Sequence, residues 1–295
     1  MNKYAVIDIG SNSVRFAEEV NGAFPEREIY TTRLGSGLAR TGMLSDEAMA
    51  KSVAVMKELA RRARADGFVP AGYATSAVRD AANGPAFRER VEAECGFPVE
   101  VLSGEEEARL AFLGAAGRGG FDAMLDIGGA SMQIVTADMR VSFRAGCVRC
   151  SDIAREAVGA FSPDDRPLEQ RRAVEAYLDG IFDLPCFDAG RLVGVGGTIT
   201  TLAALETGLD RFDPESVESV EITPSSLESR IAALIGMGER RREDPFLRER
   251  HDVILYGAYI LAYALKRLRA KSISASCADG MEGYLMRLKY NGDHR

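Results

Sequence analysis

One phrase is written twice in this chain, as "AVIDIGSNSVRF" at positions 5–16 and "AMLDIGGASMQIV" at 123–135. Each copy runs an apolar stretch into Asp-Ile-Gly, then a turn of small residues with a serine, then a second apolar stretch. Two apolar stretches around a glycine-bearing turn read as paired strands. Setting Asp8 on Asp126 also matches Ala5, Ile9, Gly10 and Ser13 with Ala123, Ile127, Gly128 and Ser131. A chain that opens each half in the same way points to two related half-domains, and the rest of the pattern agrees.

After the first copy, the spacing predicts a strand near 27–33, a helix from Ser45 to Ala65 and a strand leading into "ATSAVRDAANG" (74–84). A helix near 85–95, a short strand "PVEVL" and a helix from Ser103 to Gly117 follow. The helix from Ser45 opens with Asp46 and Glu47 and ends with Arg61, Arg62 and Arg64, the charge order its dipole favours. "GRGGF" (117–121) is a glycine-rich break before the strand pattern restarts, so the boundary is placed there. This gives an N-terminal domain over 1–120 and a C-terminal domain over 121–295, with the closing helix free to pack back on the first. The second half predicts strands near 122–127, 132–137 and 140–145, then helices, a strand "RLVGV", and a helix after Gly197. A polar, helical stretch, a core helix over 252–268, a strand "SISAS" and a closing helix complete it. Strands alternating with helices in both halves make the fold class α/β.

At 295 residues, with 46% hydrophobic and 27% charged, the chain has enough apolar material to bury two such cores and is not a disordered sequence. Its formal charge of −7 argues against a protein that coats nucleic acid, while leaving room for a small polyanion in a local basic pocket. The apolar run "VILYGAYILAYAL" (253–265) is shorter than the roughly 20 residues a membrane helix needs, so no membrane span is expected. Met1-Asn2-Lys3 leads directly into a strand, so no signal peptide is expected. Cys147 and Cys150 form a C-x-x-C, but no second pair joins them and only His251 and His294 are present, so no zinc site is expected. The expectation is a cytoplasmic protein with reduced thiols.

Three turns have the composition of phosphate loops. In the duplicated phrase, Gly10, Ser11, Asn12 and Ser13, and again Gly128, Gly129, Ala130 and Ser131, bring successive backbone amides into one concave turn, with Asp8 and Asp126 at the mouths. A carboxylate there can face a metal or water; a plain hairpin whose Asp bonds its own turn is the alternative. The third is "GVGGTITTLAAL" (194–205), where Gly196, Gly197 and Thr198 open a helix whose N-terminus favours anions. A dinucleotide fingerprint fails there, because Ile199 stands where its last glycine belongs.

In "SGEEEARL" (103–110), Ser103 and Glu106 form a capping box, which accounts for Glu106 without chemistry. Glu107 shares a helical face with Leu110, Ala111 and Gly114, so its carboxylate lies at the inner edge of an apolar stripe. It is a candidate general base, with an ordinary helix-start acid as the alternative. Arg79 follows a strand and is placed to grip phosphate, or else to pair with Asp80 or a helix acid. The run Arg240-Arg241-Arg242 is either a polyanion track or a solvated helix end.

Taken in order, "AVIDIGSNSVRF", "TRLGSGLARTGMLS", "ATSAVRDAANG", "SGEEEARL", "LDIGGASMQ", "GGTITTLAAL" and "RHDVILYGAYIL" resemble the exopolyphosphatase/guanosine pentaphosphate phosphohydrolase (Ppx/GppA) family. That family belongs to the superfamily of actin, heat-shock chaperones and sugar kinases. The resemblance implies two ribonuclease-H-like (actin-like ATPase) domains with a cleft between them. It also implies removal of terminal phosphate from inorganic polyphosphate or guanosine pentaphosphate, by Mg²⁺-assisted attack of water. Under it, Glu107 matches the catalytic glutamate and Asp8 and Asp126 match the Mg²⁺-binding aspartates. The three turns match the phosphate loops, and Arg79 matches the arginine of the family's "ATSALR". A homodimer is compatible with it.

The chain departs from the family's pattern at three places. Ala130 stands for a glycine, Gln133 for a glutamate expected to help with metal or water, and Met281 for an arginine. An amide cannot serve as a base or offset Mg²⁺ charge. These departures motivate an alternative, a catalytically weak sensor that binds polyphosphate or the alarmone. An ATP-using kinase-like activity ranks last, because no base pocket is legible in the sequence.

Overall fold

The computed structural model describes residues 2–117 and 120–292. It begins with β1 (Tyr4–Ile9) and β2 (Ser13–Glu18), the two strands of the first copy of the repeated phrase, paired antiparallel with Asp8 opposite Arg15. β3 (Glu28–Thr31) pairs on β2, and a short helix α1 (Leu38–Thr41) precedes α2 (Asp46–Ala65). Ser45 caps α2, its hydroxyl accepting from Ala48 N at 3.2 Å. The buried face of α2 runs Val53, Met56, Leu59, Ala60 and Ala63. β4 (Val69–Ala74), α3 (Ser76–Asp80), α4 (Gly84–Cys95), β5 (Val99–Val101) and α5 (Gly104–Ala116) follow. The sheet has the order β3-β2-β1-β4-β5, with β4 and β5 parallel to β1.

The second copy gives β6 (Ala123–Ile127) and β7 (Met132–Thr136), again antiparallel, with Asp126 opposite Gln133. β8 (Arg140–Phe143) pairs on β7, and α6 (Cys147–Val158) and α7 (Pro167–Ile181) lead to β9 (Leu192–Val195). Then come α8 (Gly196–Thr207), α9 (Pro214–Glu218), β10 (Glu221–Ile222), α10 (Pro224–Met237) and the core helix α11 (Ile254–Arg267). β11 (Ile273–Ala275) and the closing helix α12 (Gly280–Gly292) end the described chain. This sheet reads β10-β11-β9-β6-β7-β8. Apart from the short edge strand β10, its order repeats the first: third, second, first, fourth, fifth. The duplication glimpsed in two turns is therefore a duplication of whole sheets, and the α/β expectation holds.

By compactness the chain divides into Met1–Gly114 with Ala278–Arg295, and Ala115–Cys277. The division falls just before the glycine-rich break and groups the closing segment with the N-terminal unit. The grouping has a physical cause in the alternation of β1. Ala5, Ile7 and Ile9 face one core under α2 and α4. Val6 faces another with Tyr73, Leu102, Leu110, Met281, Tyr284 and Leu285, so α12 supplies half of the cover for that face. The second unit buries Leu125, Ile134, Ile199, Tyr256 and Ile260 in one large core, with α11 buried on nearly every side. Among the described residues no helix is long and apolar enough to cross a membrane.

Candidate functional site

In the first unit, Asp8 has the same parity as Val6 and so lies on the sheet face that α5 and α12 cover. The turn after it closes with Gly10 N donating to Ser13 O at 3.1 Å. Its two central carbonyls are taken by a neighbouring segment: Ser11 O accepts from Gly35 N at 2.8 Å, and Asn12 O from Thr32 N at 3.2 Å and Arg33 N at 2.8 Å. The amides of Ser11 and Asn12 donate to no backbone carbonyl among the described residues. With acceptors tied down and donors left over, the turn is built to receive an anion. The Asn12 amide group is itself buried with neither atom hydrogen-bonded.

The second unit repeats the device. Gly128 N donates to Ser131 O at 3.0 Å, and the N-terminus of α6 occupies the loop's carbonyls: Cys147 N to Gly128 O at 3.0 Å, Val148 N to Gly129 O at 2.7 Å. Arg149 Nε donates to Ala130 O at 2.9 Å. The amides of Gly129 and Ala130 donate to no backbone carbonyl among the described residues. Across from Asp126, Gln133 is fully buried and its Nε2 donates to Ser131 Oγ at 2.9 Å and Ser142 Oγ at 3.2 Å, while Oε1 has no partner.

The third loop, also in the second unit, begins α8 at Gly196 without any side-chain cap, so first-turn amides remain for a ligand. Gly196 has φ +82°, a left-handed conformation that favours glycine, and a Cβ there would lie 2.6 Å from Asp126 Oδ1. The helix start is thus laid against the Asp126 carboxylate. A Cβ on Gly197 would lie 2.0 Å from Arg250 Nη2, so the Arg250 guanidinium rests on the loop's backbone. Thr198 is buried behind it.

Two helices bring the remaining groups of the first unit. The Ser103–Glu106 capping box is present in both directions, at 3.2 and 3.1 Å, and Leu110, Ala111 and Gly114 are buried as the helical spacing predicts. Glu107, on that same face, accepts from Arg79 Nη1 at 3.0 Å; the same nitrogen donates to Leu102 O at 2.9 Å, and Asp80 lies 3.6 Å from Arg79 Nε. Arg79 therefore does pair with helix acids, and the pair it makes is with the candidate base.

Sequence reasoning missed a charge chain around Asp8. Arg15 Nε donates to Asp8 Oδ2 at 2.7 Å, and Arg15 Nη1 reaches Asp279 at the start of α12. Arg27 in turn contacts Asp279 at 3.4 Å and pairs with Glu282. Burial raises the pKa of Asp8, and Arg15 only partly offsets it. Burial works against the Arg15 charge too, but Asp279 and Asp8 outweigh it and hold the guanidinium well above its usual range. For Asp279 burial pushes upward, yet Arg15 and Arg27 prevail and its pKa is lowered.

The other motifs resolve differently. Met281 is fully buried in the apolar core beside Val6 and Leu110, so it packs rather than binds. The arginine run is a solvated helix end at Arg240 and Arg242, both exposed, but not at Arg241, which is only 1% exposed and donates to His251 O, Leu234 O and Asp164. Arg242 pairs with Glu239, and Arg240 bonds the carbonyls of Gly236 and Met237. Cys147 and Cys150 lie buried one turn apart on α6, unbonded to each other, and burial raises both thiols.

Residues 17–290 match the family model of the Ppx/GppA phosphatase family. This chain belongs to that family. It is 30% identical to exopolyphosphatase 2 of Mycobacterium tuberculosis over 308 aligned positions, covering 92% of each chain. Among solved structures it resembles an exopolyphosphatase-like protein at TM-score 0.85 and 25% identity, over 98% of this chain and 99% of that one. It also resembles the Ppx/GppA protein of Aquifex aeolicus at TM-score 0.73 and 27% identity, over 100% and 99%. As a member of the Ppx/GppA family the chain is a phosphatase-type hydrolase with the family's actin-like ATPase fold. Arg250 lies in "RHDVI", a segment that carried the family resemblance without a role attached; its position on Gly197 supplies one candidate, a cation at the third loop.

Proposed function

We propose that this chain releases the terminal phosphate of inorganic polyphosphate by attack of water, and that guanosine pentaphosphate undergoes the same chemistry. The observation that carries the reading is the Glu107–Arg79 pair at 3.0 Å, on a helix that covers the sheet face bearing Asp8 and its amide-lined turn. Phosphoryl transfer asks for positioning and charge neutralisation more than for covalent chemistry. Glu107 takes the proton of the attacking water, and Arg79 holds its carboxylate in one orientation. In the first unit the amides of Ser11 and Asn12 hold phosphate oxygens, and in the second the amides of Gly129 and Ala130 and the start of α8 are built to do the same. The names of the relatives support this substrate class.

The residues fit Mg²⁺ as the counter-ion. Asp8 Oδ1 is a buried carboxylate oxygen without a hydrogen bond, and no group of three or more His, Cys, Asp or Glu side chains is gathered for a metal among the described residues. Mg²⁺ is commonly held by one or two carboxylates with the remaining positions left to water and substrate phosphate, which suits a single buried carboxylate such as Asp8 in the first unit, with Asp126 as its counterpart in the second, better than a dedicated cage would. When bound, it would neutralise charge on the phosphate oxygens.

Phosphate release by the purified protein with Mg²⁺ tests the reading, with long-chain polyphosphate, guanosine pentaphosphate and ATP compared side by side. Release from polyphosphate ahead of ATP is the expected result; release from ATP alone would overturn it.

Gln133 favours a second reading, the weak sensor. It stands across from Asp126 as a neutral amide with one oxygen unsatisfied. The hydroxyls of Ser131 and Ser142 can turn to donate to a carboxylate, so Gln133→Glu fits without repacking. For a sensor, the substitution is expected to raise phosphate release about 10²-fold, the lower end of a single electrostatic contribution. An unchanged rate in Gln133→Glu removes the motive for the sensor reading.

A further inference from the structure

Asp279 has more functionality than its place in the fold requires. As the residue before α12 it caps that helix: its Oδ1 accepts from Met281 N at 3.0 Å, and its own amide donates to Glu282 Oε2 at 2.8 Å. Asn or Ser would cap as well. The surplus is the second oxygen, Oδ2, which receives Arg15 Nη1 and Arg27 Nη1. Asp279 is 3% exposed, so holding a charge there is costly unless that charge has a task or a partner.

The task is visible in what Arg15 does with its other end. Its Nε and Nη2 both reach Asp8 Oδ2, and Nη1 reaches Asp279. A guanidinium is planar, and one clamped by carboxylates at both ends cannot swing about its stem. That fixes Asp8 Oδ2 on the Arg15 side and leaves Oδ1 as the oxygen without a hydrogen bond. Three carboxylates (Asp8, Asp279, Glu282) against two guanidiniums (Arg15, Arg27) leave one excess negative charge in the chain. Arg27 supplies the second positive charge, without which Asp279 and Glu282 would face each other with one cation among three acids.

We infer that Asp279 is a positioning residue that acts through Arg15 to orient the Asp8 carboxylate for the phosphate-bound cation, with Arg27 holding Asp279 in turn. The inference rests on the reading of Asp8 as a site carboxylate. Asp279 touches no substrate in this scheme; its effect travels through one guanidinium.

The test uses the Glu107→Gln protein, which keeps the binding groups and is expected to turn over negligibly, and titrates tripolyphosphate calorimetrically with Mg²⁺ present. Asp279→Asn retains the cap and the volume but removes the acceptor for Arg15. It is expected to weaken binding about tenfold, as is Asp8→Asn, and the two together are expected to be no weaker than Asp8→Asn alone, the mark of residues acting as a unit. Asp279→Ser, which also caps, is run in parallel, with melting temperatures for each variant. Unchanged binding in both Asp279 variants overturns the inference. So does an equal loss in the presence and absence of the Asp8 substitution, since a merely structural defect would not depend on Asp8. Wild-type phosphate release is measured alongside: a parent that binds tripolyphosphate but releases nothing overturns the hydrolase reading and leaves the cycle to decide the role of Asp279.

Discussion

Glu107→Gln is expected to lower phosphate release from polyphosphate by about 10²–10⁴-fold, the range for losing a positioned general base. The substitution is mild for the fold. Glutamine has the same length, its oxygen can still accept from Arg79 Nη1, and the helix face beneath it is set by Leu110 and Ala111 rather than by Glu107. What disappears is a carboxylate able to accept a proton from water. Binding of tripolyphosphate, measured calorimetrically, is expected to change little, so the loss falls on kcat. Glu106→Gln serves as the control, because a glutamine completes the same capping box with Ser103 and is expected to leave the rate near wild type. Wild-type turnover in Glu107→Gln would remove the base from Glu107. A loss shared equally by Glu106→Gln would show that the helix start, not the carboxylate, matters.

That experiment relies on a residue the sequence already singled out, and the reason is locality. Glu107 is marked by its offset from Leu110, Ala111 and Gly114, three neighbours on one helix turn or two, and helical periodicity is readable without a fold. The same holds for the Ser103 capping box, the helix start at Ser45 and the two Asp-Ile-Gly turns. The duplicated turns also announced a duplicated sheet, although only register and strand order show how complete the repeat is. The register adds something the alignment of the two phrases did not show: the residue across from Asp8 is Arg15, while the one across from Asp126 is Gln133. The halves share a plan and differ in charge at the equivalent position.

Illegible were the groups joined across long stretches of chain. Arg15 and Asp279 are 264 positions apart, Arg27 and Glu282 255, and no periodicity links them. They meet because the chain, after β11 in the second sheet, sends α12 onto the face of the first, a choice the apolar residues Met281, Tyr284 and Leu285 make by packing against Val6 and Tyr73. Arg241 misled for a related reason. Three consecutive arginines read as a surface, yet a buried carbonyl at Leu234, another at His251 and the Asp164 carboxylate together satisfy the middle one. Only tertiary structure supplies such partners.

Gly283→Ala is expected to destabilise the first unit by about 2 kcal/mol or more, the cost of overpacking where nothing can yield. Within that unit α5 and α12 cross through a reciprocal pair of glycines. A Cβ on Gly283 would lie 2.0 Å from Leu110 O, and one on Gly114 would lie 1.8 Å from Asp279 O. Both obstacles are backbone, so no rotamer change relieves them and the helices must part. Alanine's better helix propensity returns only about 1 kcal/mol, too little to reverse the sign. Gly236→Ala makes the comparison sharp: it lies in α10 with nothing within 4 Å of its Cβ, and there the same substitution is expected to stabilise by up to about 1 kcal/mol. Urea midpoints of the two variants should therefore move in opposite directions. Parting α5 from α12 also moves Glu107 relative to Asp279, so phosphate release should fall in Gly283→Ala even where the protein remains folded, and stay unchanged in Gly236→Ala. A Gly283→Ala midpoint at or above wild type would mean that the crossing tolerates a methyl group, and that the position of Asp279 over the Asp8 face does not depend on this contact.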